Sequence, residues 1–296
     1  MRVVVVGCEG FVGRNLTEAL LLDNHEVLGV CSNRTSNQRR QASRSSYELT
    51  TISRFLKASS SHLTRADVLV NVAQHRNSID FPSEGPSTLL TNSVLPLELL
   101  NVCRDTGISR MIHFSSGGLY DRSTSVILNE STPLARPEVL DFYLRSKLIA
   151  DQVLELAESS MVDLTIVRPF FVFGSQMPSS RLFSRLISSL RHGSPVHLRN
   201  PDGIRINPCY VGDISEGVLR LLQRRSLRAV NFSGSDVLTL GEICRLFSDY
   251  LGCEYHFVSN SDPEDDCVSD TSMFSQLLGR SPRGLGDREL LNGLLA

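Results

Sequence analysis

The chain has 296 residues, 41% of them hydrophobic and 21% charged, with 30 basic and 32 acidic side chains and a formal net charge of −2. That length suffices for one large α/β domain, or a main domain with a smaller companion, and the near-neutral balance excludes the concentrated basic face on which nucleic-acid and membrane-surface binders rely. Seven scattered cysteines without a C-x-x-C pair predict reduced, mostly buried thiols and no metal site; no apolar run approaches the roughly 20 residues of a membrane span, and Met1-Arg2 leads into a strand and not a signal peptide, so a cytoplasmic protein is expected.

In chain order, Arg2 to Val6 is a β-branched run ended by Gly7, as a strand buried on both faces requires. Gly10 to Leu22 carries Val12, Leu16, Ala19 and Leu20 at helical spacing, and Glu26 to Cys31 reads as a second strand. Ser32 to Ser46 is a polar loop. Asp67 to Ala73 is a strand, Leu89 to Thr106 a helix, Arg110 to Ser115 a strand, Glu138 to Ser159 a long helix and Leu164 to Val167 a strand. Such alternation specifies an α/β fold with a Rossmann-type doubly wound parallel sheet. Beyond Pro169 the regularity weakens, with short helices expected at Ser180 to His192 and Thr239 to Leu251 and an acidic loop at Ser259 to Asp270. The predicted organisation is a dinucleotide-binding domain over 1–172, with 207–232 returning to it, and a smaller C-terminal α/β substrate lobe from 173–206 and 233–296.

Gly7-Cys8-Glu9-Gly10-Phe11-Val12-Gly13 sits between the first strand and the first helix. Gly7 permits a tight turn, Gly10 lets a pyrophosphate approach the backbone, and Gly13 allows close helix–strand packing, with the phosphates at the positive helix N-terminus. Phe11 and Val12 belong to the same contact segment. After the second strand, where an acidic residue would accept from the ribose 2′-hydroxyl of NAD(H), the chain has Cys31, Ser32, Asn33 and Arg34. The missing carboxylate and an arginine able to pair with a phosphate favour NADP(H), with NAD(H) the alternative.

Tyr143 and Lys147 stand one turn apart on the long helix. With six tyrosines and only two lysines, Lys57 and Lys147, a Y-x-x-x-K pair is expected by chance roughly 0.04 times. A phenol with an ordinary pKa of about 10 needs a neighbouring cation to exchange protons near neutrality, and Lys147 supplies one. Ser116, just beyond the strand at Arg110 to Ser115, is placed to hydrogen-bond the substrate oxygen.

These residues resemble the extended short-chain dehydrogenase/reductases, specifically the NAD(P)-dependent epimerase/dehydratase group acting on nucleotide sugars, along nearly the whole length. The resemblance rests on Gly7, Gly10 and Gly13; on the strand ending at Ala73; on Asn92; on Ser116 four residues before Tyr120; on Tyr143 and Lys147; on Arg168-Pro169 leading to Gly174; on Val211-Gly212-Asp213; and on Ser269-Asp270-Thr271 before Leu277-Leu278-Gly279. It implies Ser116, Tyr143 and Lys147 as the catalytic group, with Tyr143 and Lys147 also binding the cofactor, Lys147 as a ligand of its ribose, and Ala73, Asn92 and Pro169 as further cofactor neighbours. It also implies a nucleotide-sugar substrate and a homodimer. Two departures stand out: Phe171 occupies the place of the family's asparagine, which helps hold the sugar nucleotide, and Tyr47 to Thr64 offers no equivalent of the aspartate that ends the family's third strand near adenine.

In the family's 4,6-dehydratases the active-site threonine precedes an Asp-Glu pair; here Gly117 and Gly118 follow Ser116 and cannot transfer protons. That leaves hydride transfer at one carbon, either reduction of a 4-keto sugar nucleotide by NADPH, which is preferred, or 4-epimerisation with a retained NAD. A catalytically silent dinucleotide-binding relative is the third reading.

Overall fold

The computed structural model describes residues 1–32, 46–57, 65–75, 80–157, 162–199, 202–224, 227–260 and 265–295. Its centre is a seven-stranded sheet built from β1 (Arg2–Val6), β2 (Glu26–Cys31), β3 (Tyr47–Thr51), β4 (Val68–Asn71), β5 (Arg110–Phe114), β6 (Asp163–Pro169) and a late strand, β9 (Ala229–Phe232). The order is β3-β2-β1-β4-β5-β6-β9, and the registered neighbours from β3 to β6 are parallel. This is the doubly wound arrangement predicted, extended by the two edge strands β3 and β9, and it reverses direction between β1 and β4.

Two strands of this sheet, β3 and β9, escaped the sequence reading. Tyr47–Thr51 pairs in parallel with β2 from Val27↔Tyr47 to Cys31↔Thr51 and forms the sheet's edge. Its sequence, YELTT, has no apolar run because an edge strand exposes part of its length, here Glu48. Thr51 then caps the short helix α2 (Ile52–Leu56), its hydroxyl accepting from Arg54 N.

Helix α1 (Phe11–Leu22) ends as expected. The helix expected from Leu89 is longer and interrupted: α3 (Gly85–Leu89), a π turn at Leu90–Val94, then α4 (Leu95–Thr106) closed by Gly107 at φ 77°. Pro96 explains the wide turn, because it has no N–H for the Asn92 carbonyl and its ring crowds that carbonyl, while Leu95 N bonds back to Leu90 O. The long helix α5 (Phe142–Leu156) starts later than Glu138, since the Asp141 side chain caps it at Leu144 N and Leu140 is extended.

The chain divides into two compact units: the first is 1–119, 136–168 and 215–230, the second 120–135, 169–214 and 231–296. The first holds a core of sheet and helix residues such as Val4, Leu28, Leu69, Leu99, Met111 and Leu154. The second is built around the phenylalanines Phe170, Phe173, Phe183 and Phe247, with edge-on ring pairs at 6.1 and 6.4 Å. Its helices are α6 (Leu182–Arg191) and α8 (Leu240–Leu251), the latter started by a Thr239/Glu242 capping box, with α9 (Ser272–Leu278) and α10 (Arg288–Leu295) following; α7 (Val211–Leu222) spans the division. Two small sheets pair β7 (Val196–Arg199) with β11 (Phe257–Asn260) and β8 (Arg205–Ile206) with β10 (Leu238–Thr239). All seven cysteines are free thiols, and six of them are buried.

Candidate active site and dinucleotide cradle

The sheet's reversal between β1 and β4 opens a crevice at the strand C-termini, and the glycine turn lies there. Gly7 has φ 88°, donates its N–H to Val30 O at 2.8 Å, and leaves no room for a side chain: a Cβ would lie 2.7 Å from Ala73 Cα. At Gly13 a Cβ would fall 2.1 Å from the Gly7 carbonyl oxygen. Gly10 differs. It is exposed, and the nearest atom to its would-be Cβ is Gly7 O at 3.3 Å, so packing alone does not demand glycine. No side chain caps α1 at Gly10. A pyrophosphate fits this arrangement, with an open backbone face and helix N–H groups that no side chain claims.

Phe11 is buried and Val12 half-buried. The Cys31 thiol turns inward to Thr50 O, which leaves Ser32 as the exposed group after β2; Asn33 and Arg34 lie outside the described residues. Cys8, inside the glycine turn, is no reactive thiol, since burial, with Cys31 and Glu9 adding to it, pushes it up to about 12.

Ser116 follows β5, half-buried, its Oγ accepting from Gly118 N at 3.2 Å. Lys147 is 2% exposed, and its Nζ donates to the carbonyl of Phe114, the last residue of β5, at 2.9 Å. Tyr143 is half-buried one turn earlier on α5. The first unit thus holds Ser116, just past β5, and Tyr143 and Lys147 on α5. Gly117 to Leu119 form one 3₁₀ turn, and a Cβ on Gly118 would stand 3.0 Å from the Leu144 side chain.

Beneath lies polar chemistry that the sequence reading missed. Asp151, one turn beyond Lys147, is wholly buried and accepts at Oδ2 from Arg168 Nη2 at 3.0 Å and Nε at 3.3 Å. Burial raises its carboxyl, opposed first by Arg168. The Ser115 hydroxyl approaches Asp151 without completing a hydrogen bond, so Asp151 Oδ1 has none. His113 is also wholly buried, and Asn71 fixes its tautomer. The Asn71 Oδ1 accepts from Ala73 N at 3.1 Å, so the amide nitrogen is the atom facing His113 Nδ1 at 3.1 Å; Nδ1 accepts and the ring proton sits on Nε2. Burial, then the Lys147 charge, lowers this histidine well below 6.5 and keeps it neutral. The i, i+4 spacing of Lys147 and Asp151 places Asp151 on the Lys147 face of the helix, but nothing local announces its pairing with Arg168 or that of Asn71 with His113.

Asn92, expected near the cofactor, is wholly buried in the π turn and ties two segments together: Oδ1 accepts from His75 N and Nδ2 donates to Ser146 Oγ, both at 3.0 Å. Ser146 Oγ donates in turn to Tyr143 O at 2.6 Å. Pro169 closes β6, half-buried.

In the second unit, Phe171 has φ 42°, a left-handed conformation that asparagine or glycine adopts readily and a bulky residue does not. Asp213 is wholly buried and accepts from Arg280 Nη2 at 2.8 Å and from Arg283 Nε at 2.7 Å and N at 2.6 Å, with the Arg283 guanidinium 4.5 Å from the Tyr210 ring centre. Among the described residues no helix is long and apolar enough to cross a membrane, and no group of His, Cys, Asp and Glu is arranged to hold a metal ion.

Comparison with known proteins agrees with this architecture. The UDP-glucuronic acid 4-epimerase of Bacillus cereus, solved in complex with UDP-glucuronic acid and NAD, superposes with a TM-score of 0.84 at 20% identity, covering 100% of this chain and 98% of that one. Among curated proteins, UDP-glucuronic acid decarboxylase 6 of Arabidopsis thaliana is 22% identical over 96% of this chain and 84% of its own length. A 4-hydroxy-2-methyl-3-oxo-4-farnesyl-3,4-dihydroquinoline-1-oxide ketoreductase of Stigmatella aurantiaca is 27% identical over 76% of this chain and 65% of its own length. The model of the NAD dependent epimerase/dehydratase family matches residues 3–232, which include the glycine turn, Ser116, Tyr143 and Lys147, and the chain belongs to that family.

Proposed function

We propose that the protein is an NAD(P)-dependent oxidoreductase that transfers hydride at a sugar carbon, C4, of a nucleotide sugar, acting as a 4-ketoreductase. The observation that carries this reading is the burial of Lys147 against the Phe114 carbonyl, one helical turn from Tyr143 and beside the strand end that bears Ser116. The dinucleotide supplies the hydride. Tyr143 gives its phenolic proton to the ketone oxygen as that oxygen gains negative charge, Lys147 stabilises the phenolate left behind, and Ser116 Oγ donates to the same oxygen. Gly7, Gly10 and Gly13 hold the pyrophosphate, and NADP(H) is preferred because β2 ends in Cys31 and Ser32 with no carboxylate to accept from a ribose hydroxyl. The crowding of Gly118 by Leu144 supports a reaction without a carboxylate pair after Ser116, and so without dehydration. The second unit is proposed to bind the substrate, the protein to be cytoplasmic and homodimeric.

A second reading, 4-epimerisation with retained NAD, is favoured by the likeness to the Bacillus cereus epimerase. It uses the same three groups, with Tyr143 first accepting and then returning the proton. Incubation of the purified protein with 4-keto sugar nucleotides and NADPH, beside UDP-, GDP-, dTDP- and CDP-hexoses without added cofactor, separates the two. NADPH consumption that Tyr143→Phe abolishes supports the reductase; interconversion of epimers by a protein carrying bound NAD+ overturns it.

A further inference from the structure

The spacing of Lys147 and Asp151 puts a cation and a carboxylate on one face of α5, where on an isolated helix they would pair. In the fold the carboxylate goes elsewhere: Arg168, on β6, takes Asp151 Oδ2 through two guanidinium nitrogens, and the Lys147 ammonium is held by the Phe114 carbonyl. Both members of the ion pair are buried, with 0% and 5% of their side chains exposed, so water does not screen them. Three ionic groups therefore surround the lower part of α5, two cations and one carboxylate.

We propose that Asp151 and Arg168 are positioning residues for the catalytic tyrosine–lysine pair: Arg168 draws the Asp151 carboxylate away from Lys147, and the positive charge that remains is what Tyr143 feels. This rests on the assignment of Tyr143 as the proton-transferring group. Several groups of the described residues lie around Lys147. β5 contributes the Phe114 carbonyl and His113, which burial and the Lys147 charge keep neutral, and the Ser115 hydroxyl follows it; β6 contributes Arg168; α5 contributes Tyr143 and Asp151. The π turn contributes Asn92 and Ser93, uncharged and bonded to Ser146. The Lys147 charge is felt at both His113 and Asp151, where it acts against the protonated imidazole and for the carboxylate.

The arrangement predicts shifts of opposite sign. Asp151 stands eight residues from Tyr143, about 12 Å along the helix, where one charge at an effective dielectric near 20 moves a pKa by about one unit. Asp151→Asn removes the negative charge and should lower the Tyr143 pKa by about half to one unit. Arg168→Gln frees the carboxylate to act on Lys147 and should raise it by a similar amount, and the double variant should return close to wild type. The measurement is an ultraviolet difference titration of the phenol in the protein without substrate, with Tyr143→Phe as the blank for the other five tyrosines, paired with the pH profile of kcat/KM. Singles that leave the titration unmoved, or that move it the same way, overturn the proposal; a merely structural pair would lower stability without opposite shifts. If Arg168→Gln does not fold, the downward shift in Asp151→Asn decides alone. A wild-type Tyr143 that titrates near 10 would instead refute the tyrosine's assignment, which keeps the two failures distinct.

Discussion

Replacing Lys147 by arginine keeps the charge and changes everything else about it. The site is 2% exposed, and arginine brings two more heavy atoms into it, an overpacking that costs about 1–3 kcal/mol and lowers Tm by several degrees in a chain of this size. The chemistry should suffer more. A planar guanidinium cannot keep the 2.9 Å contact to the Phe114 carbonyl and also present a compact charge toward Tyr143, and displacement of a catalytic group by about 1 Å costs on the order of 10²-fold in turnover. Lys147→Met is the companion variant, close to lysine in volume but uncharged. Without the ammonium the Tyr143 pKa should climb by about 1–3 units, which makes it a weaker proton donor and slows turnover by up to about tenfold per unit. Turnover is followed by nicotinamide absorbance, dinucleotide affinity by calorimetry and folding by thermal denaturation; in both variants the loss of turnover should exceed any loss of dinucleotide affinity. Lys147→Arg turning over within a factor of three of wild type would refute the reasoning, since the position would then require only charge.

The glycine turn separates packing from binding. Gly13→Ala drives a Cβ to 2.1 Å from the Gly7 carbonyl and should lower both Tm and dinucleotide affinity, the latter at least about tenfold, whereas Gly10→Ala meets its nearest atom at 3.3 Å and should weaken affinity with Tm nearly unchanged. Wild-type affinity in Gly10→Ala would remove the pyrophosphate from that backbone face. His113 links stability to pH. Its pKa is lowered in the fold, so below pH 6.5 the unfolded chain binds more protons, and stability that is complete above 6.5 is lost as the pH falls, at up to about 1.4 kcal/mol per pH unit. Urea titrations of wild type and His113→Phe between pH 5 and 7 should differ in slope by one proton; equal slopes would mean that His113 charges normally in the fold.

Much of this was legible because it is periodic or local. The β-branched runs of β1 and β4, buried on both faces, the glycines that only a close backbone approach demands, and the i, i+4 tyrosine and lysine all write themselves into adjacent residues. What stayed hidden depends on partners distant in the chain. Tyr47, Thr50 and Thr51 are good strand formers, but with the exposed Glu48 and Leu49 the only aliphatic residue they make no apolar run, and the segment becomes a strand where β2 offers it an edge. Asn92 was legible as a functional position, but its amide is spent on His75 and Ser146, and the π turn that points it there follows from Pro96, a signal present in the sequence and passed over. The Asp151–Arg168 and Asn71–His113 pairs join residues 17 and 42 positions apart, and a single sequence gives no reason to couple them. Phe171 was noted for its chemistry; that its backbone is left-handed could come only from the fold.

The two compact units are interleaved along the chain in six alternating segments, which has a consequence for how the protein is made. During synthesis the first five strands emerge together, but β5 has no neighbour on its outer side until β6 arrives, and the first unit is complete only after residue 230. At about 5–20 residues per second, the roughly 50 residues between β5 and β6 leave that apolar edge open for several seconds on the ribosome. Neither unit can be released by a single cut, and a nascent chain stalled near residue 150 would present an unpaired sheet edge flanked by Met111 and Ile112 to whatever holds it. The order of assembly, and not only the final contacts, is therefore set by where the chain crosses between its units.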